Sequence, residues 1–152
     1  MRALATAEIS CLSCPPQRRD ALVMALADAP KFARFFVDGL RSPVHISVLV
    51  ANNALELSAS GACGNTAGIS VSLTPLRRIV KDYRLICDTY NQAVALADGR
   101  RVETVDMGRR AFHNDGAEWI AEKISDIFEG DEESYRYIFT LVNILYIPYG
   151  LE

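Results

Sequence analysis

One histidine and one aspartate in the middle of the chain have the types and the spacing of an acid–base pair. His113 follows Asp106 by seven residues, which is about two turns of an α-helix. At roughly 100° per residue both lie on the flank of an apolar stripe that contains Val105 and Phe112. Because an unpaired buried charge costs several kcal/mol, these groups either pair with one another or line a cavity. We expect His113 to be the general acid or base, and Asp106 to orient His113 or Arg110.

Five cations and an amide on two successive helical stretches form the candidate ligand-binding set. Thr74 followed by Pro75 predicts a helix start, where free backbone N–H groups attract anions and guanidinium groups clamp carboxylates or phosphates. In the alternative interpretation, Asp82 and Asp88 neutralise the cations on a solvated face. The sequence therefore predicts a site for a small phosphorylated or carboxylated molecule. Its binding residues would be Arg77, Arg78, Lys81, Arg109, Arg110 and Asn114.

Composition limits the classes of function. The chain has 152 residues, half of them hydrophobic, and a net charge of −3, which suits a single domain over residues 1–152. A net negative chain repels phosphate backbones, so nucleic acid is not an expected partner. No apolar run reaches the roughly 18 residues of a membrane span, and no signal sequence is recognisable. We expect a cytoplasmic protein with no membrane partner.

A pair of cysteines near the start of the chain raises a third possibility. Cys11 and Cys14 follow a weak strand at residues 2–9 and precede a helix at residues 17–29, the order of a thioredoxin-like redox site. Pro43 lies closer to these cysteines than that fold requires, and the second half of the chain is mostly helical. The remaining cysteines and His45 lack zinc-finger spacing, so we predict no metal site and name no cofactor.

The pattern of elements predicts an α+β fold. Apolar and polar residues alternate over residues 44–51, 55–58 and 69–73, with an Asn52-Asn53 turn between the first two runs. This alternation predicts a small antiparallel meander at about residues 44–73, with His45 on its solvent-facing side. Three or four helices should cover the other face. Residues 31–39 fit either a strand or a short helix.

The last predicted helix, residues 131–146, is apolar almost all round. Such a helix is either the centre of the helical layer or a contact between two copies of the chain. We therefore expect a homo-oligomer, most simply a homodimer.

Two sequence segments carry a resemblance to a known family. The segments SLTPLRRIVKDYRLICDTY and ETVDMGRRAFHNDG resemble the signature of an uncharacterised alphaproteobacterial family, number 0262 among the families of unknown function. The resemblance covers residues 68–117 and leaves the N-terminal third unaligned. The sequence departs from the family pattern at Asp115, where glutamate is usual, and at residues 134–137, where a paired arginine is usual. The resemblance implies a fold and a candidate pocket, but no chemistry.

Three functional hypotheses follow from these observations. The first is a small enzyme or enzyme-like binder of an anionic molecule, with an arginine and lysine clamp and His113 as acid or base. The alternative is a non-catalytic regulatory or assembly protein whose Arg/Asp/His network is structural. The third is thiol redox chemistry at Cys11 and Cys14. The sequence leaves open whether the protein is an enzyme and which ligand it binds.

Overall fold

Six β-strands form one mixed sheet that carries helices on one face. The computed structural model describes residues 3–148. The strands are β1 (Ala5–Cys11), β2 (Arg34–Phe36), β3 (Val44–Ala51), β4 (Ala54–Ser60), β5 (Thr66–Ser72) and β6 (Glu129–Gly130). Their order across the sheet is β5-β4-β3-β1-β2-β6. Only the β1–β3 pair is parallel among the pairings of these strands.

The predicted antiparallel meander is confirmed as β3–β4–β5. Asn52 and Asn53 connect its first two strands at φ values of 54° and 60°, the left-handed conformation that a two-residue hairpin turn requires and that asparagine tolerates. The sheet is larger than predicted because the weak N-terminal strand joins it beside β3. Two short strands, β2 and β6, then extend the sheet beyond β1.

The helical layer contains five α-helices among the described residues. They are α1 (Arg19–Ala27), α2 (Ala29–Phe32), α3 (Arg77–Ala95), α4 (Gly99–Ile124) and α5 (Glu132–Leu145), with 3-10 turns at Pro16–Arg18 and Thr74–Leu76. Within residues 3–148, none of these helices combines the length and apolar character that crossing a membrane requires.

Several helix boundaries differ from the prediction. The single helix expected at residues 17–29 is two helices, and residues 31–39 contain both the end of α2 and strand β2. Helix α3 ends at Ala95. Asp98 caps α4, its side chain accepting a hydrogen bond from the Arg101 N–H at 3.2 Å. Helix α4 continues through residues 114–116, so His113 lies in the interior of this helix.

Helix α5 is the centre of the core. Its residues from Ser134 to Leu145 are buried except for Arg136 and Thr140, and its N-cap is Asp131, as predicted, which accepts from the Ser134 N–H at 2.9 Å. The apolar surface of α5 is therefore covered by its own chain. This removes the reason for expecting a homodimer, since the helix that suggested a second copy is already buried.

Helices α3 and α4 form an antiparallel hairpin of which only the base enters the core. The main hydrophobic cluster includes Val80 and the partly buried Tyr83 on α3, and Ala117 and Ile120 on α4, but no described apolar residue from 84 to 115. The outer part of the hairpin packs against itself, with Gly108 so close to Ile86 that an added Cβ would lie 2.6 Å from its Cδ1. Asp106 and Arg109 belong to this outer part.

Candidate functional site

His113 lies where α3, α4 and α5 meet. Its ring is packed edge-to-face against Phe139 of α5, at 5.0 Å between ring centroids, and against Tyr83 of α3, at 5.4 Å. Its Nε2 atom is 3.1 Å from Oγ1 of Thr140. The ring is thus held by three helices, which fixes its orientation.

The surroundings of His113 keep its ring neutral. Burial is the largest cause, and the positive charges of Arg136 and Arg109 act in the same direction, lowering the pKa of His113 from 6.5 to about 4. Burial and neighbouring cations both penalise the imidazolium form of a histidine. At neutral pH His113 therefore has one ring nitrogen that carries a proton and one that can accept one.

The hydrogen-bond network assigns the proton to Nε2. The Thr140 hydroxyl donates to the backbone carbonyl of Arg136 at 3.1 Å, so its oxygen is left to accept from the Nε2–H of His113. The Nδ1 atom of the neutral ring is then an acceptor. It is buried and has no hydrogen-bond partner among residues 3–148.

Asp106 pairs with arginines and not with His113. Its carboxylate accepts hydrogen bonds from Arg109 Nε at 3.0 Å and Nη2 at 2.5 Å, and its second oxygen lies 3.0 Å from Arg110 Nε. Of the two predicted partners for Asp106, the structure brings Arg110 to it. The hydrogen bond from Arg109, aided by the charges of both arginines and opposed by burial, lowers the pKa of Asp106.

Arg109 is further fixed by an aromatic ring. Its guanidinium carbon lies 4.5 Å from the centroid of Tyr90 on α3, a cation–π distance. Burial opposes the charge of Arg109, but the hydrogen bond and charge of Asp106 outweigh it and raise its pKa. Arg109 therefore belongs to a local network on the outer part of the α3–α4 hairpin. It affects the pKa of His113 through its charge.

The five predicted cations do not form one clamp. Tyr90 lies beside Arg109, and Arg77 is 13 positions before Tyr90, roughly 20 Å away along a helix that rises about 1.5 Å per residue. Arg78 is exposed over 91% of its side chain, with Asp82 at 3.9 Å. The start of α3 and the Asp106 network are therefore separate surfaces.

The start of the α3 segment is also not the predicted anion pocket of free backbone N–H groups. The Thr74 N–H donates to the Ser72 hydroxyl at 3.3 Å, the Leu76 N–H to the Leu73 carbonyl at 2.9 Å, and the Arg77 N–H to the Thr74 carbonyl. These donors are already used by the 3-10 turn. An anion in this region would depend on side chains.

Two cavities on either side of Thr140 form what we call the Thr140 groove. The cationic chamber, of about 510 Å³, is lined by Arg18, Lys81, Tyr83, Arg84, Leu85, Cys87, Asp88, Thr140, Asn143 and Ile144. The imidazole chamber, of about 310 Å³, is lined by Ala25, Asp28, Phe32, His113, Glu133, Arg136, Tyr137 and Thr140. Lys81 and His113 are the two predicted site residues that line this groove.

Two of the three cations in the cationic chamber converge on the end of α5. Arg18 Nη1 donates to the Asn143 carbonyl at 2.9 Å, and Arg84 donates to the carbonyls of Asn143 and Tyr146. These carbonyls are among those that a helix C-terminus leaves unpaired, and cations stabilise that end of the helix dipole. Sequence reasoning missed this pair because Arg18 and Asn143 are 125 positions apart.

The crowding of cations is strongest at Arg84. Burial first, and then the charge of Arg18, lowers the pKa of Arg84 from 12.5 to about 10, while Tyr146 acts in the opposite direction. Arg84 therefore keeps its charge at neutral pH. Its Nε is buried without a hydrogen-bond partner in the described part of the chain, so the chamber holds a positive charge with an unused donor.

The other predicted binding residues lie elsewhere. Asn114 lines a separate cavity of about 380 Å³ with two carboxylates, Glu118 and Glu132. Arg77 lines a cavity of about 1050 Å³ near the turn between β3 and β4. Arg77 is the only charged residue among the described residues that line that cavity. The cavity is therefore a poorer anion site than the cationic chamber, although its volume is larger.

Cys11 and Cys14 do not have the setting of reactive thiols. Both are free, and burial, followed by the charge of Cys14, raises the pKa of Cys11 to about 11. They precede a short 3-10 turn rather than the first turn of an α-helix. Val44 is opposite Ala7 and Val48 is opposite Cys11, so Pro43 lies at the far end of the β1–β3 pair. Among residues 3–148, no cluster of three or more His, Cys, Asp or Glu side chains could hold a metal.

Comparison with known proteins confirms the family resemblance and extends it. A family model described as "Uncharacterised protein family (UPF0262)" matches residues 5–148, which includes the N-terminal third that the sequence motifs left unaligned. No solved structure matches the chain.

The relatives are alphaproteobacterial proteins that carry the same family name. A UPF0262 protein of Rhizobium etli (strain CIAT 652) is 39% identical over 105 residues, 68% of this chain and 67% of the relative. Another, from Agrobacterium fabrum (strain C58 / ATCC 33970), is 38% identical over 109 residues, 72% and 69% of the two chains. A third, from Chelativorans sp. (strain BNC1), is 33% identical over 135 residues, 87% and 84%.

Proposed function

We propose that this chain, which belongs to the Uncharacterised protein family (UPF0262), binds a small carboxylated or phosphorylated molecule in the Thr140 groove. The anion occupies the cationic chamber, and the remainder of the ligand extends past Thr140 toward His113. The observation that carries the proposal is the presence of Arg18, Lys81 and Arg84 in one chamber with a single carboxylate, Asp88.

The role of each cation follows from its partners. Arg18 and Arg84 are fixed on the carbonyls at the end of α5, so they supply a preorganised positive field. Lys81 is the mobile member, because a lysine ammonium on a flexible stem can close on an anion after it enters. An anion beside Arg84 would relieve the repulsion between the two guanidinium groups.

His113 provides the acid–base function in this proposal. Its neutral ring accepts a proton more readily when a negative charge lies nearby, because an anion offsets the charges of Arg136 and Arg109. Binding therefore raises the pKa of His113 from about 4 toward its ordinary value. By linkage, lowering the pH from 7 to 5 strengthens binding of a fully ionised anion.

The test is stabilisation of the folded chain by inorganic phosphate, pyrophosphate and succinate, measured by thermal unfolding. A ligand at about one hundred times its Kd raises the free energy of unfolding by about 2.7 kcal/mol. Lys81→Ala should lower the affinity about tenfold, or 1.4 kcal/mol. The matched control is Lys123→Ala, the same truncation at a lysine that lies over the Trp119 ring and outside the groove.

The pKa of His113 is the second measurement in this experiment, taken from the ring-proton NMR signals with and without the best anion. The other histidine, His45, is identified by its loss in His45→Gln. Absence of stabilisation by all three anions would contradict the proposal. A loss of affinity in Arg78→Ala but not in Lys81→Ala would also contradict it, because it would move the site to the start of α3.

A non-catalytic role is the second candidate, and a specific contact favours it. The acceptor atom Nδ1 of His113 is buried, and the ring is enclosed by Tyr83 and Phe139. In that case His113→Gln leaves buried neighbours unpaired and lowers the free energy of unfolding by about 1–3 kcal/mol, while the folded variant binds anions as wild type does. A His113→Gln variant that folds with wild-type stability contradicts this structural role.

A further inference from the structure

The open face of the sheet carries a second arrangement of polar groups, far from the Thr140 groove. In the parallel β1–β3 pair, Glu8 is opposite His45 and Ser10 is opposite Ser47. Alternation along each strand directs all four side chains away from the buried Val44 and Ile46 side. The register therefore places a carboxylate, an imidazole and two hydroxyl groups side by side.

Distances order these groups into a series. The Ser10 Oγ atom is 2.8 Å from His45 Nε2, and His45 Nδ1 is 3.6 Å from a carboxylate oxygen of Glu8. A carboxylate on the Nδ1 side favours the tautomer with its proton on Nδ1, which leaves Nε2 free to accept the Ser10 hydroxyl proton. This is the order of a nucleophile, its base and the group that orients the base.

We propose that Ser10 is a nucleophile for activated esters, with His45 as its general base and Glu8 as the positioning residue. Both strands are held in the interior of the sheet, so the pair is fixed by the fold and not by loops. The His45 side chain is 43% exposed and Ser10 is partly exposed, so an ester in solution can reach this pair from the open face.

The reaction needs no group beyond the ester and water. Ser10 Oγ bonds to the ester carbonyl carbon while its proton passes to His45 Nε2. The bond from that carbon to the leaving oxygen then breaks, and the leaving alcohol takes the proton from Nε2. Water next attacks the acyl-serine, giving its proton to Nε2, and the carboxylic acid departs as the proton returns to Ser10 Oγ. The net reaction is hydrolysis of the ester.

The substrate class follows from the limited stabilisation available for the oxyanion. The Ser47 hydroxyl, 3.4 Å from Ser10 Oγ, is a neighbouring donor that can turn toward the developing charge. One hydroxyl donor stabilises an oxyanion less than a preorganised set of donors. The site should therefore act on esters whose leaving group is already good, such as aryl esters, and not on amides.

The first test is covalent labelling of the full chain by a fluorophosphonate, with the site assigned by peptide mass spectrometry. We expect labelling at Ser10, its loss in Ser10→Ala, and a rate on the order of a hundredfold lower in His45→Ala. Added imidazole should restore part of the rate in His45→Ala, which a purely structural histidine would not allow. The matched control is Ser70→Ala, an exposed serine on β5, three strands from β1 in the sheet, and this variant should label at the normal rate.

Glu8 is tested by comparing two variants. Glu8→Gln should slow labelling roughly tenfold, and Glu8→Asp should retain more of the rate because it keeps the charge, with thermal unfolding unchanged in both. Labelling of several serines at similar rates, or equal labelling of wild type and His45→Ala, would overturn the proposal. Because the Thr140 groove is on the other side of the sheet, neither result affects the anion-binding proposal.

Discussion

The two histidines of this chain lie in opposite environments. His113 is packed between the rings of Tyr83 and Phe139 and has cations as its charged neighbours. His45 stands half-exposed on an open sheet face, with a hydroxyl on one side and a carboxylate on the other. The neighbours of His113 thus disfavour the imidazolium form, whereas those of His45 are hydrogen-bonding groups on both sides of the ring.

This difference shows how the supporting element decides what a histidine can do. Three helices enclose His113, so its chemistry depends on what enters the adjoining chamber and on the charge that enters with it. Two neighbouring strands place His45 beside Ser10 and Glu8 without enclosing them. The positions of these three side chains therefore depend on the register of β1 and β3. The two regions should therefore respond differently to changes in volume, in pH and in hydrogen bonding.

The largest difference is expected for a change in volume. A Cβ added at Gly116 would lie 2.1 Å from Cε1 of Phe139, so Gly116→Ala must displace the ring that holds His113. We expect a loss of about 2–3 kcal/mol in the free energy of unfolding, the upper part of the usual range for overpacking a core. Urea unfolding measures this loss.

Two controls make that result specific. Gly99→Ala, at the start of α4 with nothing within 4 Å of the new Cβ, should be neutral or stabilising by up to about 1 kcal/mol. On the open face, Ser70→Ala should stay within about 0.5 kcal/mol. A Gly116→Ala variant as stable as Gly99→Ala would mean that the helices are not packed closely around His113.

The second difference concerns pH. Since the pKa of His113 is lowered from 6.5 to about 4 on folding, the unfolded chain takes up a proton below pH 6.5 while the folded chain does not. Stability should therefore fall as the pH decreases from 6.5 to 4, by on the order of 2 kcal/mol from this group. Below pH 4 its contribution no longer changes, because both states are protonated.

Comparing variants isolates this contribution from that of the carboxylates, which titrate in the same range. The slope of stability against pH between 4 and 6.5 should be shallower in His113→Gln than in wild type. Equal slopes for wild type and His113→Gln would show that His113 is not desolvated. The measurement is a urea midpoint at each pH.

The fold was largely predictable because its signals are local. Alternation over residues 44–51 and the Asn52-Asn53 turn depend on neighbours in sequence, and both are found as β3 and the hairpin. The capping residue Asp131 is local as well. Strand β2 was ambiguous because residues 31–39 combine the end of a helix with a strand of three residues, too short for any periodicity to appear.

The site was less predictable because its members are distant in sequence. The phase of α4 identified His113, but the partner of its Nε2 atom, Thr140, is 27 positions away, and Arg18 meets Asn143 across 125 positions. Helical phase grouped Arg109 with His113, whereas Arg109 prefers the closer carboxylate of Asp106. Likewise, Ser10 and His45 are joined by a parallel pairing that leaves no short-range pattern in sequence.

The smallest difference concerns hydrogen bonding, and it tests the assignment of the His113 tautomer. Thr140→Val keeps the shape of the side chain and removes the oxygen that accepts from Nε2–H. Either tautomer of the ring then carries an unpaired donor, because Nδ1 is also buried without a hydrogen-bond partner, so the preference for Nε2–H is lost. We expect a stability loss of about 1 kcal/mol and a shift of the neutral ring from the Nε2–H toward the Nδ1–H tautomer.

Imidazole ¹⁵N chemical shifts at pH 7 report this tautomer directly. The matched control is Thr104→Val on the exposed face of α4, where the Thr104 hydroxyl donates to the Arg100 carbonyl at 3.1 Å, as Thr140 does to Arg136. Thr104→Val loses the same type of hydrogen bond within a helix, but the Thr104 hydroxyl does not contact His113. The ¹⁵N shifts of His113 should therefore not change in this variant. A wild-type His113 that already carries its proton on Nδ1, or that is protonated on both nitrogens at pH 7, would contradict the network assigned to Thr140. It would also remove the buried acceptor on which the acid–base role of His113 depends.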